Sequence, residues 1–293
     1  MKIPSDLIKL ERRIGENIAE YFSTHSPENS TLLLDSTGPS FTRQYIVLNK
    51  IGLDRLFSFN EIHAFSGAVY ALFGYIAFMT EQNSVGIDAL CQPDAERVFR
   101  DQHHSGLFSG LRSVSKMLVG RPAFNSITPL IASLEYIFGD FVNQPFSAFP
   151  ENIHIYLAKS KDAPLLVLSN NDRCTPELQP LRQAPIKHVI AMSANVPMLY
   201  GGARANVPYF DPVYTRQYLP TLKKIGATNN QVLVSTPWRS GQKENKYYLN
   251  CYPQGNPRWL MLKDLARLVG AQKNVCWSRD IYTAFRHAPE VQV

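Results

Sequence analysis

The sequence predicts an α/β protein with a largely parallel central sheet. Short, wholly apolar runs of strand length suit strands buried on both faces, Thr31-Leu32-Leu33-Leu34 above all. These runs alternate with segments of helical periodicity, the pattern of strand–helix–strand units. Hydrophobic residues make up 45% of the 293 and charged residues 18%, which is ample for a covered sheet and excludes a disordered chain. No internal repeat, low-complexity tract or linker divides the chain, so a single domain over 1–293 is expected.

In chain order, Ile8, Ile14, Ile18 and Tyr21 give an amphipathic helix over about 5–22, closed by a polar loop from Ser23 to Ser30. The Thr31–Leu34 strand ends at Asp35. The turn Ser36-Thr37-Gly38-Pro39 follows, with Pro39 suited to the first turn of a helix over about 40–51. Gly52 stops that helix. A second strand spans about 59–65 and leads at once into a strongly apolar helix ending near Met79. The stretch 82–150 reads as mainly helical, interrupted by Gly and Pro. Strands return at 153–158 and 165–168, a helix covers about 185–194, and 195–212 is irregular. Further strands are expected at 231–236 and 247–251, and a late helix at 259–269.

The formal charge of +6 implies a basic face fit for anionic lipid headgroups or an acidic carrier protein. Lys and Arg are scattered without an arm or stripe, so nucleic acid is not expected as a partner. Cys91, Cys174, Cys251 and Cys276 lie far apart with no CxxC pair, which predicts reduced, mostly buried thiols. The charged N-terminal stretch is no signal peptide. The longest apolar run, Val69 to Met79, falls short of the roughly 20 residues needed to cross a bilayer. A cytoplasmic protein with peripheral membrane contact is expected, export without a cleaved signal remaining compatible.

The strongest chemical signal is Glu61-Ile62-His63-Ala64-Phe65-Ser66-Gly67-Ala68. A serine between a buried strand and an apolar helix, with Ala64, Gly67 and Ala68 about it, has the layout of a nucleophile elbow. The helix N-terminus there favours developing negative charge. A helix N-cap is the plainer reading of Ser66. About thirty residues earlier, Asp35-Ser36-Thr37-Gly38-Pro39 also leaves a strand and enters a helix. Its backbone N–H groups suit an oxyanion, or the segment is an ordinary turn that needs Gly38.

Together these segments resemble the patatin-like phospholipases, whose pattern is Asp-Gly-Gly-Gly-x-Arg-Gly, then Gly-x-Ser-x-Gly, then a distant Asp-Gly-Gly or Asp-Gly-Ala. Ala191-Met192-Ser193-Ala194-Asn195-Val196-Pro197 is similar to the family's Ala-Ser-x-Ala-x-Pro helix end, and Tyr209-Phe210-Asp211-Pro212 falls where the family carries its dyad aspartate. The resemblance covers 31–220 and is strongest there, leaving the helix of 5–22 and the stretch 221–293 as extensions. It departs at Ser36 and Thr37, which replace two loop glycines. Ser40 stands at the family's arginine, with Arg43 one turn on; Ala64 replaces the first elbow glycine, and Pro212 follows Asp211.

The resemblance implies a three-layer α/β/α fold and a Ser66–Asp211 dyad without a catalytic histidine. It implies an oxyanion hole at Thr37 and Gly38, and an elbow of Ala64, Phe65, Gly67 and Ala68. Hydrolysis of fatty-acyl esters of (phospho)lipids would pass through an acyl-enzyme, with no cofactor and no metal, at a lipid or membrane surface. An acyltransferase drawing on a carrier-bound or thioester donor uses the same site; a catalytically silent binding protein keeps the fold alone. Asp211 otherwise reads as a turn residue, and as a base it needs a pKa above the usual value of roughly 3.9. His188 and His287 are the histidines best suited to a triad, His63 is expected to be packed, and His103-His104 reads as a solvated turn. Gly201-Gly202 reads as a loop bend. Leu107, Leu111, Val114 and Leu118, with Arg112, Lys116 and Arg121 on other faces, form an amphipathic helix for a membrane or for the core.

Overall fold

The computed structural model describes residues 3–83, 85–90, 127–200, 208–228, 231–252 and 277–286. The predicted helices of 107–121 and 259–269, together with Cys91, Cys276, His103, His104, Gly201, Gly202 and His287, lie outside them.

Seven strands form one mixed sheet: β1 (Thr31–Leu34), β2 (Glu61–Ala64), β3 (Ile153–Leu157), β4 (Leu166–Leu168), β5 (Val232–Thr236), β6 (Gly241–Lys243) and β7 (Lys246–Asn250). Their spatial order is β4-β3-β2-β1-β5-β7-β6. The five central strands pair in parallel, while β4 and β6 pair antiparallel at the two edges. The stretch after residue 220 therefore supplies three strands of the sheet.

Successive side chains of a strand point to opposite faces, and both faces are covered here. Leu32 and Leu34 enter the larger core, whereas Leu33 joins a smaller one. On the larger side pack α1 (Ser5–Thr24), α2 (Gln44–Ile51), α4 (Gly67–Met79) and α10 (Trp277–Phe285). The helix α4 is buried from Gly67 through Phe78, which explains its apolar character all round. The stripe of α1 is Leu7, Leu10, Ile14, Ile18 and Tyr21; Ile8, expected within it, is exposed because it sits off that face. On the smaller side α9 (Tyr218–Thr228) sets Tyr218 and Ile225 against Leu33, Val232 and Val234. The result is an α/β fold with helices on both faces.

Several predicted boundaries shift. The helix expected from Ser40 begins at Gln44, because Gly38–Arg43 takes the tighter 3₁₀ form with Pro39 in its first turn. Gly52 stops α2 at φ 85° and opens the short α3 (Leu53–Ser58), which shortens the following strand to Glu61–Ala64. Within 82–150 lie α5 (Ile87–Leu90) and α6 (Thr128–Phe138). The expected helix near 185–194 is α7 (Ile186–Ser193), and α8 (Pro197–Tyr200) interrupts the predicted irregular stretch. Cys174 and Cys251 are buried free thiols. Among the described residues no helix is long and apolar enough to cross a membrane.

Candidate active site

The two central parallel strands β1 and β2 run in register, Leu34 beside Ala64, so the turns after them emerge side by side. After β2, the Phe65 amide donates to the Leu34 carbonyl at 3.2 Å, and the chain reverses direction into α4. The residue at that reversal is Ser66, at φ 55° and ψ −130°. A serine with a side chain in this region is strained. Such strain at a strand-to-helix turn is how a nucleophile elbow presents its Oγ.

Ser66 Oγ donates a hydrogen bond to Asp211 Oδ2. The aspartate comes from 145 positions away, and four contacts hold it there. Phe210 forms an isolated antiparallel bridge with Ala158, just past β3, through bonds of 2.9 and 3.1 Å. The Asp211 amide donates to the Asn195 carbonyl at 3.1 Å, and Asn195 Nδ2 donates to the Tyr209 carbonyl at 2.9 Å. Asp211 Oδ1 accepts from the Val213 amide at 3.0 Å and so caps the short turn begun by Pro212. Pro212, which lacks an N–H, fits the first position of that turn.

Ser66 and Asp211 are 2% and 1% exposed. Burial disfavours the carboxylate and pushes the Asp211 pKa up to about 7, against the opposing bonds from Ser66 and Val213. The candidate base therefore changes charge near neutral pH.

The turn after β1 is held by Asp35. Its carboxylate accepts from the Ser36 amide at 2.8 Å, from Thr236 Oγ1 at 2.7 Å and from the Tyr218 hydroxyl. Gln44 Nε2 donates to the Asp35 carbonyl at 3.0 Å, and Tyr252 OH to the Thr37 carbonyl at 3.2 Å. Burial raises the Asp35 pKa, with Tyr218, Thr236 and Ser36 opposing. Gly38 lies at φ 53°, a backbone angle that suits glycine. A Cβ on Gly67 would stand 2.7 Å from the Gly38 carbonyl oxygen, so the turn and the elbow touch. The Gly38 amide is engaged by Ser36 Oγ at a long 3.3 Å. Among the described residues neither the Thr37 nor the Gly67 amide donates within the protein. Those two N–H groups beside Ser66 are suited to a developing oxyanion.

The predicted elbow residues Ala64, Phe65, Gly67 and Ala68 all stand at the turn, and Thr37 and Gly38 beside it. Sequence reasoning missed two holders. Ser193 Oγ accepts the Ser66 amide at 3.1 Å, and Asn195 pins the segment that carries Asp211. Both lie in the 191–197 segment that marks the helix end in the sequence, which gave them no contact to the serine or the aspartate.

No histidine bonds to Ser66 or Asp211 among the described residues. His188 is partly buried on α7, and burial lowers its pKa. His63 packs on the opposite sheet face from Ile62 and Ala64, stacked on His154 at 4.8 Å. Burial lowers the pKa of both imidazoles, pushing His154 down to about 3. Arg43 is buried, 3.7 Å from Asp280 and over the Tyr252 ring at 4.5 Å. An open surface cavity of about 400 Å³ lined by Lys161, Asp162 and 213–216 begins two residues past Asp211 and includes neither dyad residue.

The fold and site define an α/β protein with a buried serine–aspartate pair at a strand-to-helix elbow. No family model, curated protein or solved structure matches the chain.

Proposed function

We propose that the chain is a serine acyl hydrolase related to the patatin-like phospholipases, cleaving fatty-acyl esters of (phospho)lipids. The observation that carries this reading is the hydrogen bond from a strained, elbow-borne Ser66 to a fully buried Asp211. A helix cap needs neither the strain nor a buried carboxylate.

In the proposed reaction the ionised Asp211 takes the Ser66 Oγ proton as Oγ attacks the ester carbonyl carbon. The carbonyl oxygen becomes an oxyanion facing the Thr37 and Gly67 amides. Collapse of the tetrahedral adduct breaks the ester bond; the leaving alkoxide takes the proton from Asp211, and the acyl group stays on Ser66. Water, deprotonated by Asp211, attacks that acyl carbonyl; collapse breaks the bond to Oγ, Ser66 Oγ takes the proton back from Asp211, and the fatty acid leaves. An aspartate whose pKa lies near 7 is a far better base at neutral pH than one near 4.

Lipid as the substrate class is supported by the residues around this end of the sheet. Tyr214 and Leu219 follow Asp211 with exposed apolar surface, and exposed Trp238 lies just past the carboxyl end of β5. Tyr and Trp suit a lipid interface, and Arg216 and Arg239 lie close by in sequence.

Intact mass after exposure to a long-chain alkyl fluorophosphonate tests the proposal. One adduct is expected on the wild type, none on Ser66→Ala, and strongly slowed labelling on Asp211→Asn. Labelling that survives Ser66→Ala, or no adduct in the presence of phospholipid vesicles, overturns it. Fatty acid released from those vesicles by wild type alone would identify the ester class.

A further inference from the structure

A second cluster of reactive side chains lies on the sheet face away from Ile62 and Ala64. Glu61 and His63 stand two residues apart on β2 and so share that face, and His154 is the register partner of His63 on β3. One donor atom from each lies within 4.8 Å of the other two, and the residues are 7%, 2% and 1% exposed.

Internal bonds account for two of the three. His63 Nε2 meets Glu61 Oε2 at 2.9 Å and its Nδ1 meets the Tyr156 hydroxyl at 2.8 Å, while Arg173 pairs with the other Glu61 oxygen. His154 is different. Neither of its ring nitrogens has a hydrogen-bond partner among the described residues, although the side chain is almost fully buried. A buried polar group left unpaired is destabilising. Packing and the Glu61–His63–Tyr156 chain therefore leave this imidazole unexplained.

We propose that Glu61, His63 and His154 form a binding site for a divalent transition-metal ion, Zn²⁺ in the first instance. Two neutral imidazoles and one carboxylate are a zinc donor set with a fourth position left for water. Calcium and magnesium prefer oxygen alone. Zinc bonds of about 2.0–2.2 Å require the donors to close in from their present spread and the ion to take the place of the His63 Nε2–Glu61 Oε2 bond. Glu61 must also loosen Arg173, whose side chain is 57% exposed and leaves for water at little cost.

The ion would join β2 to β3 along the strand that ends in the elbow. Among the described residues none of the three ligands bonds to Ser66 or Asp211, so the ion's part is structural. Tyr156 links the two regions: it bonds His63 and stacks on Phe65 at 4.3 Å. The site does not depend on the proposed hydrolysis.

The test is a Co²⁺ titration of full-length protein stripped of metal by a chelator, followed by displacement with Zn²⁺. One ion per chain is expected, with the visible spectrum of tetrahedral nitrogen and oxygen ligation, and Zn²⁺ should raise the melting temperature. His154→Ala and Glu61→Gln should each weaken binding by about a hundredfold. Arg173→Gln, which removes the competing cation, should tighten it. Circular dichroism verifies the fold of each variant. Absence of saturable binding by folded wild type overturns the site, whatever the variants do. A thiolate charge-transfer band, or binding unchanged in folded His154→Ala or folded Glu61→Gln, overturns it equally by placing the ion elsewhere.

Discussion

Gly67 lies so close beneath Gly38 that an added Cβ would stand 2.7 Å from the Gly38 carbonyl oxygen and 3.2 Å from Phe41 Cβ. Contact at the shorter distance is with backbone, which cannot swing aside as a flexible side chain can. Gly67→Ala should therefore push the 36–38 turn off the elbow and misplace the Thr37 amide. Fluorophosphonate labelling of Ser66 should slow by about ten- to a hundredfold, with a stability loss of about 1–3 kcal/mol in urea. Unchanged labelling by Gly67→Ala would mean that the turn takes no part in the reaction.

The Ser193 hydroxyl receives the amide of the strained Ser66. In Ser193→Ala that buried N–H loses its acceptor, at a cost of about 1–3 kcal/mol. The elbow has the most to lose, because the contact helps to hold the unfavourable φ of Ser66. Stopped-time labelling should show a slower rate at every pH with the pH midpoint unmoved. A moved midpoint would show that Ser193 acts on Asp211 instead.

Much of this site is legible in the sequence because its chemistry is local. Asp35-Ser36-Thr37-Gly38 and Ala64-Phe65-Ser66-Gly67 each announce a strand, a turn and a helix start within a few residues. What holds the pair together is not local: Ser193, Asn195, Tyr218 and Thr236 reach the site from far along the chain. Strand direction is equally hidden, since β4 is as apolar as a parallel strand yet pairs antiparallel. The polar Gly241-Gln242-Lys243 of β6 lacks the apolar alternation that marks a strand, as an edge position allows. Helix α9 escaped because Pro220 and Gly226 interrupt its pattern; Pro220 is tolerated in the first turn, where no backbone donor is needed.

The Tyr218 hydroxyl bonds Asp35 from α9, across 183 positions. Tyr218→Phe keeps the ring that meets Phe65 edge-on at 5.4 Å and removes that bond together with the long 3.3 Å bond the hydroxyl accepts from the Ser36 amide. The expected result is a destabilisation of about 1–3 kcal/mol with labelling slowed several-fold, since the turn loses one of its three anchors on Asp35. Thermal melts of the two proteins at one pH measure the first effect. Full stability in Tyr218→Phe would show that Thr236 and the Ser36 amide suffice.

For the proposed reaction, a pKa of Asp211 near 7 fixes the direction of the pH dependence. Only the ionised carboxylate accepts the Ser66 proton. Labelling should rise with pH through about 7 and then level off. Asp211→Asn should flatten the profile and lower its plateau by about 10²–10⁴-fold. A rate already level at about pH 5 would mean an aspartate of ordinary acidity.

The same burial gives a stability effect of opposite benefit. Unfolding returns Asp211 from a pKa of about 7 to its ordinary 3.8, so between those values the folded state binds more protons than the unfolded one. Stability contributed by the buried, protonated acid is complete below pH 3.8 and is lost as pH rises through 7. The Asp211→Asn variant has no charge to bury: its side-chain oxygen can keep the Val213 amide bond and its NH₂ can donate to Ser66 Oγ. That variant should therefore be more stable than wild type. The gap should widen by on the order of 2 kcal/mol from about pH 5 to about pH 8. Urea unfolding of both proteins at the two pH values measures it. A gap that stays constant would assign Asp211 an ordinary acidity and remove burial as the source of its strength as a base. A widening gap with labelling lost would show the protein sustaining a buried charge at neutral pH for the sake of its serine.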